Sequence, residues 1–213
     1  MQRKCLFCFN KTLNYFEFMQ ESLQNIRTLI ASLIDINDEE WAYYSAMFEL
    51  KKFKKKEIIL QVGEVAKSVF FVNRGLLRIY FLDKNQKECT FHFAQELSFA
   101  TDYESFLRKT PSKYSIQAME DTEVVIMSHF MVHDGYKGLR YGEKLGRVLA
   151  ETHFFLFSNK LLELYTQTPL ERYEQMNKLF PKILQRVPQH YIASYLNISS
   201  VHLSRIINEQ PRN

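Results

Sequence analysis

Arg205 stands in a segment whose residue types suit the reading of a DNA base. The segment runs Val187-Pro188-Gln189-His190-Tyr191-Ile192-Ala193-Ser194-Tyr195-Leu196-Asn197-Ile198-Ser199-Ser200-Val201-His202-Leu203-Ser204-Arg205-Ile206. Pro188 fits the first position of a helix. Ile192 and Leu196 stack one turn apart, and Ala193 is small where two helices must cross closely. Asn197 occupies a turn position that favours left-handed backbone, which Asn tolerates. Ser199 suits the N-cap of a second helix, and Leu203 and Ile206 point that helix inward. This is helix-turn-helix spacing. On the outward face Ser200, Ser204 and Asn208 form one row, with Val201 and Arg205 beside it. An arginine there can give two hydrogen bonds to a guanine edge, worth roughly 1–3 kcal/mol of discrimination. Ser199 and Ser200 at the helix N-terminus suit phosphate, and Val201 suits a thymine methyl. The same pattern also describes an ordinary helical hairpin with a surface arginine.

Other constellations carry less. A metal-dependent enzyme needs clustered His and carboxylate ligands. His92, His129 and His133 are the candidates in the strand-rich region, yet no His-x-His pair occurs. His129-x3-His133 would share a helical face, but it follows the last strand. There is no glycine-rich phosphate loop and no nucleophile elbow, so no catalytic residue and no metal site is assigned. Lys51, Lys52, Lys54, Lys55 and Lys56 form a basic run that reads as a solvated approach to the first strand rather than a phosphate patch.

Composition sets the frame for these residues. The 213 residues are 46% hydrophobic and 15% aromatic, enough for a sizeable core and for two small domains. A net charge of +4 permits a nucleic-acid partner without demanding one. No apolar run approaches the ~18 residues of a spanning helix. The N-terminus, basic and then aromatic, is broken by Asn10, Lys11 and Asn14 and lacks a small-residue cleavage site, so a signal peptide is not expected. Three cysteines are too few for a disulfide framework, which points to the cytoplasm. Met19 offers a second translation start, and the sequence leaves both readings open: residues 1–18 as part of the native chain, or as residues upstream of the true start.

The pattern along the chain predicts an α+β protein. Leu23, Ile26, Leu29, Ile30 and Leu33 have helical spacing. Asn37-Asp38-Glu39-Glu40 signals a second helix, expected to reach about Phe48. From Phe53 to Ser128 the period becomes that of strands. Residues 69–72 and 76–82 flank Asn73-Arg74-Gly75, a hairpin signal. In residues 88–93, Cys89, Phe91 and Phe93 fall on one face and Thr90 and His92 on the other. Glu120-Asp121-Thr122 reads as a further turn. Short strands at this spacing predict a double-stranded β-helix, that is, a jelly roll or β-roll. Residues 139–165 read as one long helix with Leu145, Leu149, Thr152 and Leu156 near heptad spacing, a stripe that a partner helix would cover. Thr168-Pro169 starts another helix, stopped by Pro181.

Taken in order, residues 22–207 resemble the Crp/Fnr family of transcription regulators. The resemblance rests on Phe53-Lys54-Lys55-Lys56-Glu57, Val62-Gly63-Glu64, residues 69–78, Asp102-Tyr103-Glu104-Ser105-Phe106-Leu107, Tyr114-Ser115-Ile116-Gln117-Ala118 and the helix-turn-helix. It implies an N-terminal extension (1–20), a cyclic-nucleotide-binding-like sensor roll (21–137), a dimerisation helix (138–165) and an all-α DNA-binding domain (166–213). By that likeness Arg205 falls on the base-reading arginine, and Ser200 and Val201 on the other base-facing positions. The implied partners are a second copy of the chain, a near-palindromic double-stranded DNA site and RNA polymerase. The family's cyclic-nucleotide binders use a Gly-Glu pair and an Arg-Ser pair. Here Gln95-Glu96 and Ser112-Lys113 stand in those places, so Glu96, Ser112 and Lys113 form the candidate effector pocket and cyclic AMP is not expected. An iron–sulfur cluster is not expected either, because Cys5, Cys8 and Cys89 fall one short of four thiolates. The family's β-wing has no room between Pro181 and Val187. The other reading is a ligand-binding roll whose shortened C-terminus no longer binds DNA specifically.

Overall fold

A computed structural model describes residues 2–209, with side chains from residue 18 onward. The chain opens with helix α1 (Gln2–Leu33) and α2 (Asp38–Ser45). Strands β1 (Glu49–Phe53), β2 (Ile58–Leu60), β3 (Ser68–Arg74), β4 (Leu77–Leu82), β5 (Glu88–Ala94) and β6 (Phe99–Ala100) follow. After helix α3 (Tyr103–Arg108) come β7 (Ser115–Ala118) and β8 (Thr122–Ser128). The remainder is helical: α4 (His129–Gly138), α5 (Gly142–Thr166), α6 (Pro169–Leu179), α7 (Ile183–Arg186), α8 (Gln189–Tyr195) and α9 (Ser200–Glu209).

The eight strands form two antiparallel sheets, ordered β1-β8-β3-β6 and β2-β7-β4-β5. Phe53, Phe70, Val72, Leu77, Ile79, Phe106, Ile116 and Val124 fill the space between them. The expected α+β class and β-roll are therefore present. The predicted hairpin at Asn73-Arg74-Gly75 is not one. β3 and β4 lie in different sheets, so these residues carry the chain around a corner. A corner and a hairpin ask for the same glycine. Gly75 has φ +107, and a Cβ there would stand 2.5 Å from Thr122 Oγ1. Glu120-Asp121 likewise passes between sheets. The sequential hairpin is β4–β5, closed by Asp83, whose carboxylate accepts the amides of Asn85 and Lys87.

Three further expectations change. The second helix stops at Ser45 rather than Phe48, and β1, which the sequence reading missed, begins at Glu49. β1 is an edge strand whose Lys51 and Lys52 mask its period, as charges on sheet edges do. Lys52 pairs with Glu123 directly across the ladder, and Lys54 pairs with Asp121, so part of the basic run is neutralised. In β5 the strict alternation breaks at a bulge: Ile79 faces His92 while Tyr80 faces Thr90, leaving Phe91 as the extra residue. Phe91 then packs on Tyr114 and Phe157, whereas Phe93 packs on Phe180 and Tyr195. Finally, the single helix expected over 139–165 is α5, which starts at Gly142, and a further helix that the sequence reading missed precedes it. That helix, α4, runs from His129 to Gly138 and packs on α5 so closely that a Cβ on Gly142 would lie 1.9 Å from the Gly135 carbonyl oxygen.

Each sheet has a covered outer face. Ile26, Ile30 and Ile34 of the first helical segment join Tyr44, Met131 and the strand residues Phe71, Val125 and Met127 over one sheet. Over the other, Leu76, Phe93 and Met119 enter the same core as Tyr173, Met176, Phe180, Ile192, Leu196, Leu203 and Ile206. The C-terminal helices therefore share their core with the roll.

Candidate nucleic-acid interface and effector pocket

Helices α8 and α9 meet at a turn built from local chemistry. Pro188 is the N-cap of α8, one residue before the position expected. Asn197 takes φ 55, its amide donates to Ser194 O (3.1 Å) and the Ile198 amide to Ala193 O (3.0 Å). That pair of bonds is the Schellman closure of a helix C-terminus. Ser199 Oγ accepts the His202 amide at 3.2 Å, capping α9 as predicted. Ile192, Leu203 and Ile206 are buried, with Ala193 2% exposed at the crossing. The opposite face is open: Ser199, Ser200, Val201, Ser204 and Arg205 are all exposed. Arg205 forms no ion pair among the described residues, so its guanidinium is available to a ligand. Among the described residues no strand follows Ser128, and the short α7 fills the place before Val187.

The three residues of the candidate effector pocket are not brought to one point by their bonds. Glu96 Oε1 accepts the Gly75 amide (2.9 Å), and Arg186 grips both Glu96 oxygens at 2.7 and 3.0 Å. Arg186 also bonds Glu120 at 2.6 Å. Burial pushes the Glu96 carboxyl up, but the bonds from Arg186 and the backbone outweigh it, so it titrates below the usual carboxylate range. Ser112 and Lys113 turn instead to Asp102, a residue the sequence reading did not single out as a site. Asp102 is 5% exposed and caps α3 by accepting the Ser105 amide. Its second oxygen accepts the Ser112 hydroxyl (2.8 Å) and the Lys113 amide (3.1 Å). The Lys113 ammonium pairs with Glu104 at 2.9 Å. A carboxylate thus already occupies the N-terminus of α3 and takes the Ser112 hydroxyl and the Lys113 amide as donors. The signal was legible as Asp102-x-x-Ser105, a capping spacing.

On α5, Leu145, Leu149 and Leu156 are half-buried against their own chain, and Thr152 is exposed. The exposed apolar stripe lies beside them, at Phe154, Phe155, Leu161, Leu162 and Tyr165. Phe157 turns inward to Phe91 and His92. His129 and His133 do share a face, with rings 4.2 Å apart, packed near Phe106 and Tyr136. Among the described residues no three His, Cys, Asp or Glu side chains gather to hold a metal. Cys89 is half-buried and unbridged, while Cys5 and Cys8 lie outside the residues whose side chains are described. No helix of the described residues is long and apolar enough to cross a membrane.

Polar contacts tie α8 to β4 and β5. The Thr90 amide donates to Ser194 Oγ at 2.9 Å. Arg78, fully buried, lies 3.7 Å from the Tyr191 ring centroid and pairs with Glu88 at 2.6 Å.

Residues 50–132 match the family model of the cyclic nucleotide-binding domain. The fold is similar to FixK2 from Bradyrhizobium japonicum, with a TM-score of 0.65 at 17% identity over 76% of this chain and 83% of that one. It is similar to the c-di-GMP-responsive global regulator CLP of Xanthomonas campestris, with a TM-score of 0.62 at 12% identity over 79% and 92%. A transcriptional regulator assigned to the Crp/Fnr family from Eubacterium rectale gives 0.63 at 17% identity over 82% and 83%. At these identities the likeness is one of fold. No curated protein matches the sequence.

Proposed function

We propose that this chain is a cytoplasmic, homodimeric, sequence-specific DNA-binding regulator of the Crp/Fnr type, and not an enzyme. The observation that carries this reading is the face of α9: a capped helix presenting Ser200, Val201, Ser204 and an unpaired Arg205 to solvent, held by a Schellman turn on a buried partner helix. Arg205 reads a guanine edge, Val201 meets a thymine methyl, and Ser199 and Ser200 position phosphate. The exposed stripe of α5 is the dimer face, and a large apolar stripe left open on one chain supports that role. Two recognition helices then enter successive major grooves about 34 Å apart on a near-palindromic site. RNA polymerase is the further partner.

The roll's effector is not cyclic AMP in this reading. Glu96 is engaged by Arg186, and Asp102 places a negative charge where a cyclic phosphate would dock. No iron–sulfur cluster enters the mechanism. A change in the docking of the C-terminal helices on the roll moves the two recognition helices relative to one another, a population shift between two dimer geometries.

The test is selection of bound sequences from a random double-stranded DNA pool with the wild type and Arg205→Ala. A palindromic motif is expected, with guanine preference lost in the variant and affinity for the selected site lower by about 5- to 150-fold, the equivalent of roughly 1–3 kcal/mol. Absence of any enriched motif for the wild type would sink the proposal in favour of a ligand-binding roll with a C-terminal domain that does not read DNA.

A further inference from the structure

β5, the C-terminal half of α5, α6 and α8 enclose a cleft of about 350 Å³. It shares no lining residue with the α9 face, nor with Glu96, Ser112 or Lys113. One polar group in its wall lacks the hydrogen bond that buried polar groups require, and another lacks a counter-charge. His92 is 7% exposed, its ring lies between Phe157 and Phe180, and its Nδ1 is buried without a hydrogen-bond partner. Burial first, and the nearby Lys160 and His153 charges next, hold it down to about 3, so the ring is neutral. Lys160 reaches inward from α5, donates to the Phe91 carbonyl and lies 3.6 Å from the Tyr195 ring centroid. It forms no ion pair among the described residues, and burial holds its amine down to about 7, with only Glu163 raising it.

The rest of the wall states what is missing. Its charged residues are Lys160, Arg172 and Lys178 against Glu163, an excess of positive charge. Leu156, Leu164, Met176 and Leu179 supply the apolar side. The guanidinium of Arg172 is engaged by the carbonyls of Leu196 (3.3 Å) and Gln167 (2.7 Å). One inward cation therefore awaits a counter-charge, which favours a single negative charge over the two of a phosphate monoester. At about 30 Å³ per water-sized group, the cleft holds about a dozen non-hydrogen atoms.

We propose that this cleft binds a small organic monocarboxylate, its carboxylate on Lys160 Nζ, a second polar contact on His92, and its apolar body along Leu156, Leu164, Met176 and Leu179. An ammonium buried with only a carbonyl and a ring face is poorly compensated, and a carboxylate restores the charge that burial withholds. The ligand would touch the roll, the long helix and the helix-turn-helix together, yet its binding does not depend on whether the chain reads DNA.

Calorimetry on the full chain, with octanoate and phenylacetate as probes and octanamide and phenylacetamide as their uncharged counterparts, tests this. It is run near pH 8, about one unit above the Lys160 value, in two buffers of different ionisation enthalpy. At least one acid is expected to bind once per chain below about 10 mM, with proton uptake, and its amide about tenfold more weakly or worse. Lys160→Met is expected to lose about tenfold or more, while Lys144→Met, at the far end of α5, keeps the wild-type affinity. Leu156→Trp fills the cleft and abolishes binding with Lys160 intact, so a misfolded Lys160 variant cannot mimic the result. Failure of both acids to saturate, equal binding of acid and amide, absence of proton uptake, or full binding by either cleft variant overturns the proposal.

Discussion

The two outer faces of the roll are covered by different chemistry. Over the β1-β8-β3-β6 sheet the cover is mainly apolar: Ile26, Ile30 and Ile34 lie on Phe71, Val125 and Met127, and Asn25 donates to Asn73 at 2.7 Å. Over the β2-β7-β4-β5 sheet an apolar core is laced with polar links, Arg186 to Glu96 and Glu120, Ser194 to Thr90, and Lys160 to Phe91. Apolar burial is non-directional and indifferent to pH and salt over ordinary ranges. Buried polar links are directional, and each becomes costly once a partner leaves. The first face is therefore a fixed wall and the second a seam that can respond to charge.

The largest break of this comparison is Phe71→Ala. Phe71 is fully buried, and its loss is expected to destabilise the whole chain by about 3–5 kcal/mol, read as a shifted denaturant midpoint. Arg186→Ala attacks the seam instead. It strands Glu96 and Glu120, which are partly exposed, so the expected cost is about 1–2 kcal/mol. Hydrogen exchange is expected to quicken in α8 and α9 and stay unchanged in α2 and β3; uniform quickening would mean that the two faces are not energetically distinct.

Acid sharpens the contrast further. His92 has its folded value depressed from 6.5 to about 3, so its stabilising contribution is complete above 6.5 and is lost as pH falls toward 3. Glu96 is depressed as well, and its contribution fades in the same direction, below its ordinary 4.5. The seam is thus expected to weaken on acidification, with His92 alone giving a slope of at most about 1.4 kcal/mol per pH unit. Replacing it, in His92→Phe, should flatten the pH dependence of C-terminal hydrogen exchange between about pH 6 and 5. An unchanged slope would assign the acid response elsewhere.

What could be read from the sequence divides along similar lines. The α8–α9 hairpin was legible because its determinants are local: the left-handed Asn197 and the Ser199 cap act within a few residues of themselves. β1 was hidden because a lysine-rich edge strand has no alternation to show. The Asn73-Arg74-Gly75 corner was taken for a hairpin because positive φ at glycine serves both, and only the pairing of β3 with β8 rather than β4 separates them. The alternation of β5 failed at Phe91 because a bulge depends on what covers the strand. Nor could spacing show that Asp102 gathers Ser112 and Lys113, or that Arg186, 90 residues away in the chain, lands on Glu96.

The contact at Gly142 bears on how movement could pass through the molecule. With the Gly135 carbonyl so near that no Cβ fits, the first residue of α5 is the point at which it is held most tightly to α4. Its 25 residues extend about 37 Å from that point, at about 1.5 Å each. A tilt of about 5° there displaces the far end by about 3 Å, at Tyr165 and the start of α6, while the first turn scarcely shifts. A helix hinged on α4 at its first residue would act as a lever whose far end carries the helices that bear Arg205.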